Sequence, residues 1–501
     1  MTTVPEIFAL RTAEMPTAEA LAFTKNGRDE ALTYQQLNRA SAAFAANLQA
    51  RGIRAGDPIL VFVPMSPELY VVLLGIFRLG AVAMFVDPSA GPAFIQSCCR
   101  QLPPKALVAI NSLRWLKPFF STLRKIPISL PPPRLQCSEL PELPPGGPSP
   151  NDPALITFTS GSTGRSKAAV RTHEFLVEQY HVLRSSIDLR SGERDLTTLP
   201  IFVLANLAAG VVSILPDAKI SRPGFIDARR VAAQMDRLKP TRTGGSPAFY
   251  QRLATEKNAL AKFEKIYTGG APVFPKILKA LEAAAPHAKI TAVYGSTEAE
   301  PIAHVEISEI LDADWTAMAE GRGLLAGRPV PSIQARVIPD QWGKVPEKTD
   351  PVPTGMAGEI VVTGPHVLKG YLQGVGDEET KFRMDGQIWH RTGDAGWFDD
   401  SGRLWLLGRC SAKIEDSRGT LYPFAVECVA MSFPFIRRAA CVAHQNRRLL
   451  LVELEPGSPC SPDFEARTLT AGADALRILP RIPVDPRHNA KINYPALRKR
   501  L

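Results

Sequence analysis

The chain has 501 residues, of which 45% are hydrophobic and 22% charged, and its formal net charge is +10. This composition is typical of a globular protein with more than one folding unit and excludes the disordered and fibrous classes. The seven cysteines are odd in number and show no CxxC spacing, so neither a disulfide framework nor a zinc site is predicted. The positive charge is compatible with a nucleic acid, a membrane surface or an anionic small molecule as partner. Its short basic pairs near the C-terminus favour a solvated face over a docking site for a phosphate-bearing cosubstrate.

The N-terminal residues and two apolar stretches bear on location. No basic head followed by an apolar run opens the sequence, so no secretory signal is predicted and a cytoplasmic location is expected. Residues 69–86 carry Arg78 near their centre, and residues 201–215 are too few to cross a bilayer comfortably. Both stretches are therefore predicted to be buried helix or strand, with no integral membrane segment.

The order of elements along the chain predicts the fold class. Strand-like apolar runs alternate with amphipathic helical stretches over roughly the first three-fifths of the chain, as in residues 32–86. This alternation predicts a mixed α/β architecture with a largely parallel sheet. A Pro-rich stretch at 130–150 is predicted to be an extended surface connection. From about Gly358 short strands joined by tight turns take over, which indicates a domain boundary near residues 408–413.

A glycine-rich loop with the sequence "TSGSTGRSK" follows a strand-like run at residues 154–159. Its glycines are three apart and its lysine is followed by alanine, so the spacing of a P-loop NTPase fails. Hydroxyls, glycines and one cation still form a candidate cradle for a pyrophosphate, although a plain surface loop is the alternative. The candidate phosphate-binding residues are Thr159, Ser160, Gly161, Ser162, Thr163, Gly164 and Lys167.

Three further motifs add polar side chains, and each is a weak signal alone. "VYGSTEAE" places Thr297 beside Glu298, whose carboxylate could hold Mg²⁺ on phosphate oxygens. Asp394 is predicted at a turn, as an acceptor for ribose hydroxyls, and Arg409 as a cation for the nucleotide. Lys491 lies in a stretch too polar for a core.

Taken together and in order, "TSGSTGRSK", "YGSTE", "RTGD", "GR" and "NAKIN" resemble the adenylate-forming superfamily of acyl-CoA synthetases, peptide adenylation domains and luciferases. The resemblance spans roughly residues 32–491. It implies a large N-terminal multi-sheet α/β domain, residues 1–408, and a small mobile α+β C-terminal lid, residues 409–501. It also implies two half-reactions: a carboxylic acid and ATP give acyl-AMP and pyrophosphate, and a nucleophile then takes the acyl group.

The resemblance implies a role for each motif. Lys491 would bridge the carboxylate and the α-phosphate, Glu298 would carry Mg²⁺ with Thr297 beside it, and the loop at 159–167 would hold the β- and γ-phosphates. Adenine would lie between Tyr294 and the segment Gly269, Gly270, Ala271 and Pro272, and Asp394 with Arg409 would bind the ribose. The implied acyl pocket comprises Phe202, Val203, Gly245, Ser246 and Gly295.

Departures from the superfamily pattern bear on the second half-reaction. Val203 stands where many members carry a histidine or an aromatic gate, Ala412 where the hinge usually has Asp or Lys, and Glu415 where lysine is common. Ser166 replaces a usual proline, which is a mild change. These departures put the lid rotation for thioester formation in doubt more than adenylation.

Several segments, among them "FVDPSAG", "RGTLYPFAVE" and "IPVDPRHNAKIN", are similar to the β-lactone synthetases of bacterial olefin biosynthesis. The leading prediction is an ATP- and Mg²⁺-dependent ligase that activates a fatty acid as acyl-AMP and transfers it to CoA or a pantetheine thiol. One alternative is a β-lactone synthetase acting on a β-hydroxy fatty acid. The other is a catalytically silent binding or carrier-docking protein. No nucleic-acid partner is predicted, because the charge is modest and no binding motif occurs.

Overall fold

The structure is a computed structural model that describes residues 2–117, 120–137, 140–141, 147–160, 166–346, 349–485 and 491–501. The chain forms two compact units. The first comprises Met1–Asp217, Ala233–Thr241 and Leu368–Glu378, and the second comprises Ala218–Ala232, Arg242–Val367 and Glu379–Leu501.

The first unit contains mostly parallel strands. They are β1 (Glu19–Lys25), β2 (Arg28–Thr33), β3 (Pro58–Phe62), β4 (Val82–Phe85), β5 (Ala106–Ala109), β6 (Ile128–Leu130), β7 (Pro153–Ser160), β8 (Ser166–Thr172), β9 (Arg194–Thr197) and β10 (Val212–Leu215). One sheet has the order β6-β5-β3-β4-β7-β8, and the strands β9, β10, β1 and β2 pair in that order. Among the strands described in this unit, β7–β8 and β1–β2 pair antiparallel, and the other pairs are parallel.

Helices cover these strands. They are α1 (Val4–Glu14), α2 (Tyr34–Ala50), α3 (Pro67–Arg78), α4 (Pro92–Gln101), α5 (Asn111–Leu116), α6 (Ser121–Arg124), α7 (His173–Ser186) and α8 (Pro200–Ala209). Helix α2 begins with a capping box in which Thr33 and Gln36 satisfy each other's backbone N–H groups. Helix α8 ends at Gly210, whose left-handed backbone (φ 77°) favours glycine. The apolar stretches at 69–86 and 201–215 therefore form buried helix and strand, as predicted.

The second unit has longer antiparallel runs. Its strands are β11 (Arg242–Gly245), β12 (Lys265–Gly269), β13 (Lys289–Ser296), β14 (Ala299–Glu306), β15 (Leu324–Pro329), β16 (Gln334–Ile338), β17 (Gly358–Thr363), β18 (Lys381–Met384), β19 (Gln387–Phe398), β20 (Leu404–Arg409), β21 (Ile414–Asp416), β22 (Gly419–Leu421), β23 (Ile436–His444), β24 (Arg447–Leu454) and β25 (Ala475–Ile478). They pair in the order β16-β17-β19-β20-β15-β14-β13-β12-β11, with β18 on β19, a β21–β22 hairpin and a β23-β24-β25 sheet.

The helices associated with this unit flank these strands. They are α9 (Ala228–Leu238) and α13 (Asp377–Thr380), which both units share, and α10 (Pro247–Leu253), α11 (Pro275–Ala284), α12 (Asp312–Ala319), α14 (Phe424–Met431), α15 (Pro462–Thr470) and α16 (Tyr494–Arg498). A core of α14, α15, β23 and β24 side chains, including Val426, Phe464, Cys441 and Leu450, forms the interior of the C-terminal part.

The predicted mixed α/β class is confirmed, and the short strands expected after Gly358 are present as β17, β20 and β24. None of the helices in the described ranges is long and apolar enough to span a bilayer. The division into residues 1–408 and a mobile lid of residues 409–501 stays a prediction. Part of the Pro-rich stretch at 130–150 lies outside the described residues.

A buried ion pair stabilises the antiparallel sheet of the second unit. Arg391 on β19 and Glu359 on β17 are 1% and 0% exposed, and Arg391 Nε donates to Glu359 Oε1 at 3.0 Å. The guanidinium also donates to the Lys344 carbonyl at 2.6 Å and lies over the Trp342 ring. Because both charges are shielded from water, each one depends on the other for compensation.

We expect Arg391→Leu to lower the free energy of unfolding by roughly 3–5 kcal/mol, because it leaves the Glu359 carboxylate buried without its cation. A thermal unfolding scan measures the loss. The control is Arg190→Leu, which removes a pair to Asp188 with 70% and 38% of the two side chains exposed. The free energy of unfolding of this control variant should fall by less than about 1 kcal/mol. Equal losses in the two variants would contradict the importance of burial.

Candidate active site

A carboxylate, a guanidinium and a phenol meet at the neighbouring strands β19 and β20 and strand β13 of the same sheet. Asp394 pairs with Arg409 across β19–β20, and Asp394 Oδ1 lies 3.2 Å from Arg409 Nη1. The Tyr294 hydroxyl donates to Asp394 Oδ2 at 2.8 Å. The three predicted nucleotide-binding side chains are thus in direct contact.

The prediction that Asp394 occupies a turn is wrong, because the residue lies inside strand β19. The adjacent Gly393 has φ 69° and lies so close to Trp342 that a Cβ would be 2.9 Å from that ring. Thr392 Oγ1 accepts the Asp394 N–H at 3.0 Å. Pairing with β17 on one side and β20 on the other keeps this part of β19 in the sheet. The irregular register near Asp394 accommodates Gly393.

The charges of this group reinforce each other. The negative charge of Asp394 raises the pKa of Arg409, with smaller contributions from Tyr294 and Glu298. Burial, followed by the charge of Asp394, raises the pKa of Tyr294 well above its usual value. Near neutral pH, the site therefore presents a neutral phenol and a fixed cation around a carboxylate acceptor.

The segment after β12 brings backbone close to this group. A Cβ on Gly269 would lie 2.6 Å from the Val293 carbonyl oxygen, so only glycine allows β12 to approach β13 there. Gly270 has φ 76°, which starts the turn. Gly270, Ala271 and Pro272 then line a cavity of about 980 Å³ that Tyr294 also lines. The residues predicted around adenine therefore share one cavity wall, apart from Gly269, which supports it.

Lys491 lines the same cavity as Tyr294, Asp394 and Arg409. Its backbone pairs with Asp485: Asp485 N–H donates to the Lys491 carbonyl at 2.8 Å, and Lys491 N–H donates to Asp485 Oδ1 at 2.9 Å. The half-buried lysine thus belongs to a hydrogen-bonded segment at the cavity, although it is almost a hundred residues from Asp394 in sequence.

Thr297 and Glu298 form the turn between β13 and β14, directly after the strand that carries Tyr294. Both are half-buried, and Ser296 Oγ accepts the Glu298 N–H at 3.2 Å. The charge of Glu298 contributes to the raised pKa of Arg409. Among the described residues, no group of three or more His, Cys, Asp and Glu side chains could hold a metal ion.

The predicted phosphate loop is described only in part. Gly161, Ser162, Thr163 and Gly164 lie outside the described residues, while Thr159 and Ser160 end strand β7 in the first unit. Lys167, also in the first unit, is buried on β8 with its ammonium 5.9 Å from the Tyr371 ring centre. Gly376 is so close to the Lys167 stem that a Cβ there would lie 2.7 Å from its Cδ.

The predicted acyl-pocket residues fall into two groups. Phe202 and Val203 are buried on α8 in the first unit, whereas Gly245, Ser246 and Gly295 belong to the second. Gly295 lines the 980 Å³ cavity. Ser246 is 3% exposed, and its hydroxyl has no hydrogen-bond partner in the described part of the chain.

Sequence reasoning missed Glu427, Tyr494 and Lys276, all of which line the cavity. Lys276 on α11 pairs with Glu455 at 3.1 Å and donates to the Pro434 carbonyl at 2.8 Å. Tyr494 lies three residues after Lys491, and Glu427 ends the quoted segment "RGTLYPFAVE". Their positions near recognised motifs were the available signal, but only the fold brings their side chains to the cavity.

Comparison with known proteins identifies the class. The AMP-binding enzyme family matches residues 8–372. The olefin beta-lactone synthetase of Xanthomonas campestris pv. campestris is 33% identical over 93% of this chain and 90% of its own length. The olefin beta-lactone synthetase of Stenotrophomonas maltophilia gives the same identity and coverage. The ATP-bound structure of MatB from Rhodopseudomonas palustris aligns with a TM-score of 0.82 at 21% identity, covering 100% of this chain and 99% of that one.

The fold is that of the ATP-binding, adenylate-forming enzymes. The chain belongs to the AMP-binding enzyme family. This membership confirms the prediction of an AMP-forming ligase that activates a carboxylic acid as acyl-AMP, and the similarity to olefin β-lactone synthetases is confirmed as well.

The carboxyl of Glu427, which lines the cavity, tests whether burial there disfavours a negative charge. Burial raises its pKa to about 7, above the usual 4.5. The folded protein therefore binds this proton more tightly than the unfolded chain does. The resulting stabilisation is fully present below about pH 4.5 and is lost as pH rises through about 7.

We expect Glu427→Gln, which mimics the protonated form at every pH, to become more stable than the natural protein as pH rises from about 5 to 8. The difference should reach about 3 kcal/mol at most. Thermal midpoints of both proteins across this range measure it. Parallel curves for the two proteins would show that Glu427 does not titrate there.

Proposed function

We propose that this enzyme adenylates a β-hydroxy fatty acid with ATP and Mg²⁺ and then closes the acyl adenylate to a β-lactone. The observation that carries the proposal is the 33% identity to two olefin beta-lactone synthetases over 93% of this chain.

In the proposed first step, a carboxylate oxygen attacks the α-phosphorus of ATP and pyrophosphate leaves. The reactants repel each other, so a cation has to lie between them as charge develops. Lys491 is assigned this role because it lines the cavity that Asp394, Arg409 and Tyr294 also line. Asp394 would accept hydrogen bonds from the ribose hydroxyls, and the turn that begins at Gly270 would lie against adenine.

Mg²⁺ fits the donor set at the β13–β14 turn. This ion is usually held by one or two carboxylates together with substrate phosphates and waters, and the lone Glu298 carboxylate beside Thr297 matches that requirement. Bound there with ATP, Mg²⁺ would neutralise phosphate charge. We assign Glu298 as its protein ligand.

In the proposed second step, the β-hydroxyl oxygen of the acyl group attacks the acyl carbonyl carbon. A new C–O bond closes the four-membered ring, the bond to AMP breaks, and the hydroxyl proton is released. No oxidant and no external acceptor are needed. The nucleophile is already part of the substrate, which supplies the proximity that a bimolecular transfer would otherwise require.

Transfer to CoA or a pantetheine thiol is the second candidate. The basic side chains Lys276, Arg437 and Arg438 line the cavity and could face the phosphates of such an acceptor. However, Arg438 already pairs with Glu453 at 2.9 Å, as Lys276 does with Glu455. Ala412 and Glu415 depart from the residues usual in the superfamily at these positions. These departures also favour ring closure over the lid rotation that thioester formation would need. A cytoplasmic location and the absence of a nucleic-acid partner stay predictions.

We expect Lys491→Ala to reduce acyl-adenylate formation by at least about a hundredfold, because the developing charge loses its cation. Nucleotide affinity should change little, since the assigned ribose and adenine contacts remain. Pyrophosphate release measures the first quantity and calorimetric ATP titration the second. Lys499→Ala, at an exposed lysine on the same C-terminal segment, is the control and should be fully active. Normal adenylation by Lys491→Ala would refute the assignment.

The acceptor is tested by mass spectrometry of products from matched fatty and β-hydroxy fatty acids, with ATP and Mg²⁺, with and without CoA. We expect the β-hydroxy acids to give a product that is lighter than the acid by one water, with one AMP and one pyrophosphate released per turnover, whether or not CoA is present. The acids without a β-hydroxyl should stop at the adenylate. Turnover only with CoA, giving a thioester, would establish the second candidate. No pyrophosphate release from any acid would favour a catalytically silent protein.

A further inference from the structure

A buried carboxyl group in the C-terminal part has no assigned role in the chemistry proposed above. Glu427 on α14 is 1% exposed and lines the same cavity as Lys491. One of its oxygens, Oε1, accepts two hydrogen bonds: from the Cys441 backbone N–H at 2.9 Å and from the Tyr494 hydroxyl at 2.8 Å. The group thus connects helix α14 to strand β23 and to the start of helix α16.

Tyr494 follows Lys491 by three residues, and the segment between them is tightly hydrogen-bonded. Ile492 pairs with Val484 as an isolated antiparallel bridge, and the Asn493 N–H donates to the Pro483 carbonyl at 2.9 Å. Asn493 Oδ1 then accepts the Ala496 N–H at 3.0 Å and caps α16. A displacement of Tyr494 would therefore be transmitted to Lys491 through a short stretch with little freedom.

Lys491, Ile492 and Tyr494 all line the cavity, so the segment as a whole forms part of its wall. The Lys491 backbone is fixed by its contacts to Asp485, and the Lys491 side chain starts from that point. Beyond Lys491, the Val484–Ile492 bridge and the Asn493–Pro483 hydrogen bond hold the main chain. The Tyr494–Glu427 hydrogen bond then anchors the end of this segment to helix α14.

We propose that Glu427 and Tyr494 are positioning residues that orient the Lys491 segment for adenylation. The inference rests on the proposed role of Lys491. A buried carboxyl is costly, and an apolar side chain would fill the same space without that cost. What an apolar residue cannot supply is a directional acceptor that serves β23 and Tyr494 together. A displacement of about 1 Å at a reacting group can reduce a rate by about a hundredfold, so such a directional contact matters for kcat.

The first test is Tyr494→Phe, which removes one hydroxyl and keeps the ring. We expect kcat for pyrophosphate release to fall about tenfold or more while KM for ATP stays within about twofold, because positioning acts on the reacting centre and not on nucleotide binding. The matched control is Tyr34→Phe. Tyr34 is fully buried, whereas Tyr494 is half-buried, and the Tyr34 hydroxyl donates to the Leu207 carbonyl at 3.0 Å in the first unit. Its kcat should equal that of the natural protein.

The second test separates positioning from mere support of the fold. Glu427→Gln retains an acceptor oxygen for both donors and should keep kcat within about threefold, whereas Glu427→Ala should lose as much as Tyr494→Phe. In the double variant Glu427→Ala/Tyr494→Phe, the two losses should not add, because both act through one contact. Additive losses, or a Glu427→Gln enzyme as slow as Glu427→Ala, would overturn the inference.

The outcomes also distinguish this inference from the proposed role of Lys491. If Lys491→Ala is inactive while Tyr494→Phe and Glu427→Ala are as active as the natural protein, the lysine assignment stands and the positioning inference falls. If Lys491→Ala is active, the lysine assignment itself falls. If Tyr494→Phe unfolds at the assay temperature, the comparison of Glu427→Gln with Glu427→Ala at a temperature where both are folded decides the matter.

Discussion

Charge compensation around Asp394 is the interaction on which the described site depends. A carboxylate on a β-strand would repel a nucleotide unless its own charge were balanced, and Arg409 on the neighbouring strand balances it at 3.2 Å. The Tyr294 hydroxyl then orients the second carboxylate oxygen. Because all three residues lie on paired strands, their geometry is fixed before any ligand binds. Preorganisation of this kind removes the cost of rearranging dipoles when charge develops.

The same need for charge compensation fits the proposal that the cation between the reactants, Lys491, comes from a segment near the C-terminus. A lysine on a rigid strand beside Arg409 would place a second positive charge next to the first, and like charges held close together repel each other. A lysine on a separate hydrogen-bonded segment can instead be oriented by contacts of its own, here Asp485 and the Tyr494–Glu427 pair. Arg409, which pairs with Asp394, and Lys491, which we propose to act on the reacting groups, thus belong to different parts of the second unit.

Much of the fold and site could be predicted from the sequence because short motifs encode backbone requirements. The glycines at 269 and 270 could be recognised because a close strand approach and a left-handed turn require them. The sequence predicts Asp394 at a turn, and only the long-range pairing with β17 and β20 shows that it lies in a strand. For Glu427 the sequence offers only its place in the segment "RGTLYPFAVE", because its contacts depend on Cys441 and Tyr494, which the fold brings to it.

The nature of the acceptor illustrates where motif reasoning ends. Adenylation brings an anionic acid to ATP and requires cations that offset the developing charge, and the motifs encode such groups. Ring closure by a β-hydroxyl requires no further charged group, because the substrate brings its own nucleophile and an intramolecular attack can have an effective concentration of about 10⁵ M or more. A thiol acceptor, in contrast, needs a second binding surface. Two basic side chains that line the cavity, Lys276 and Arg438, are engaged with Glu455 and Glu453. A CoA phosphate bound by either side chain would compete with its ion pair, whereas the proposed lactone closure leaves both pairs intact.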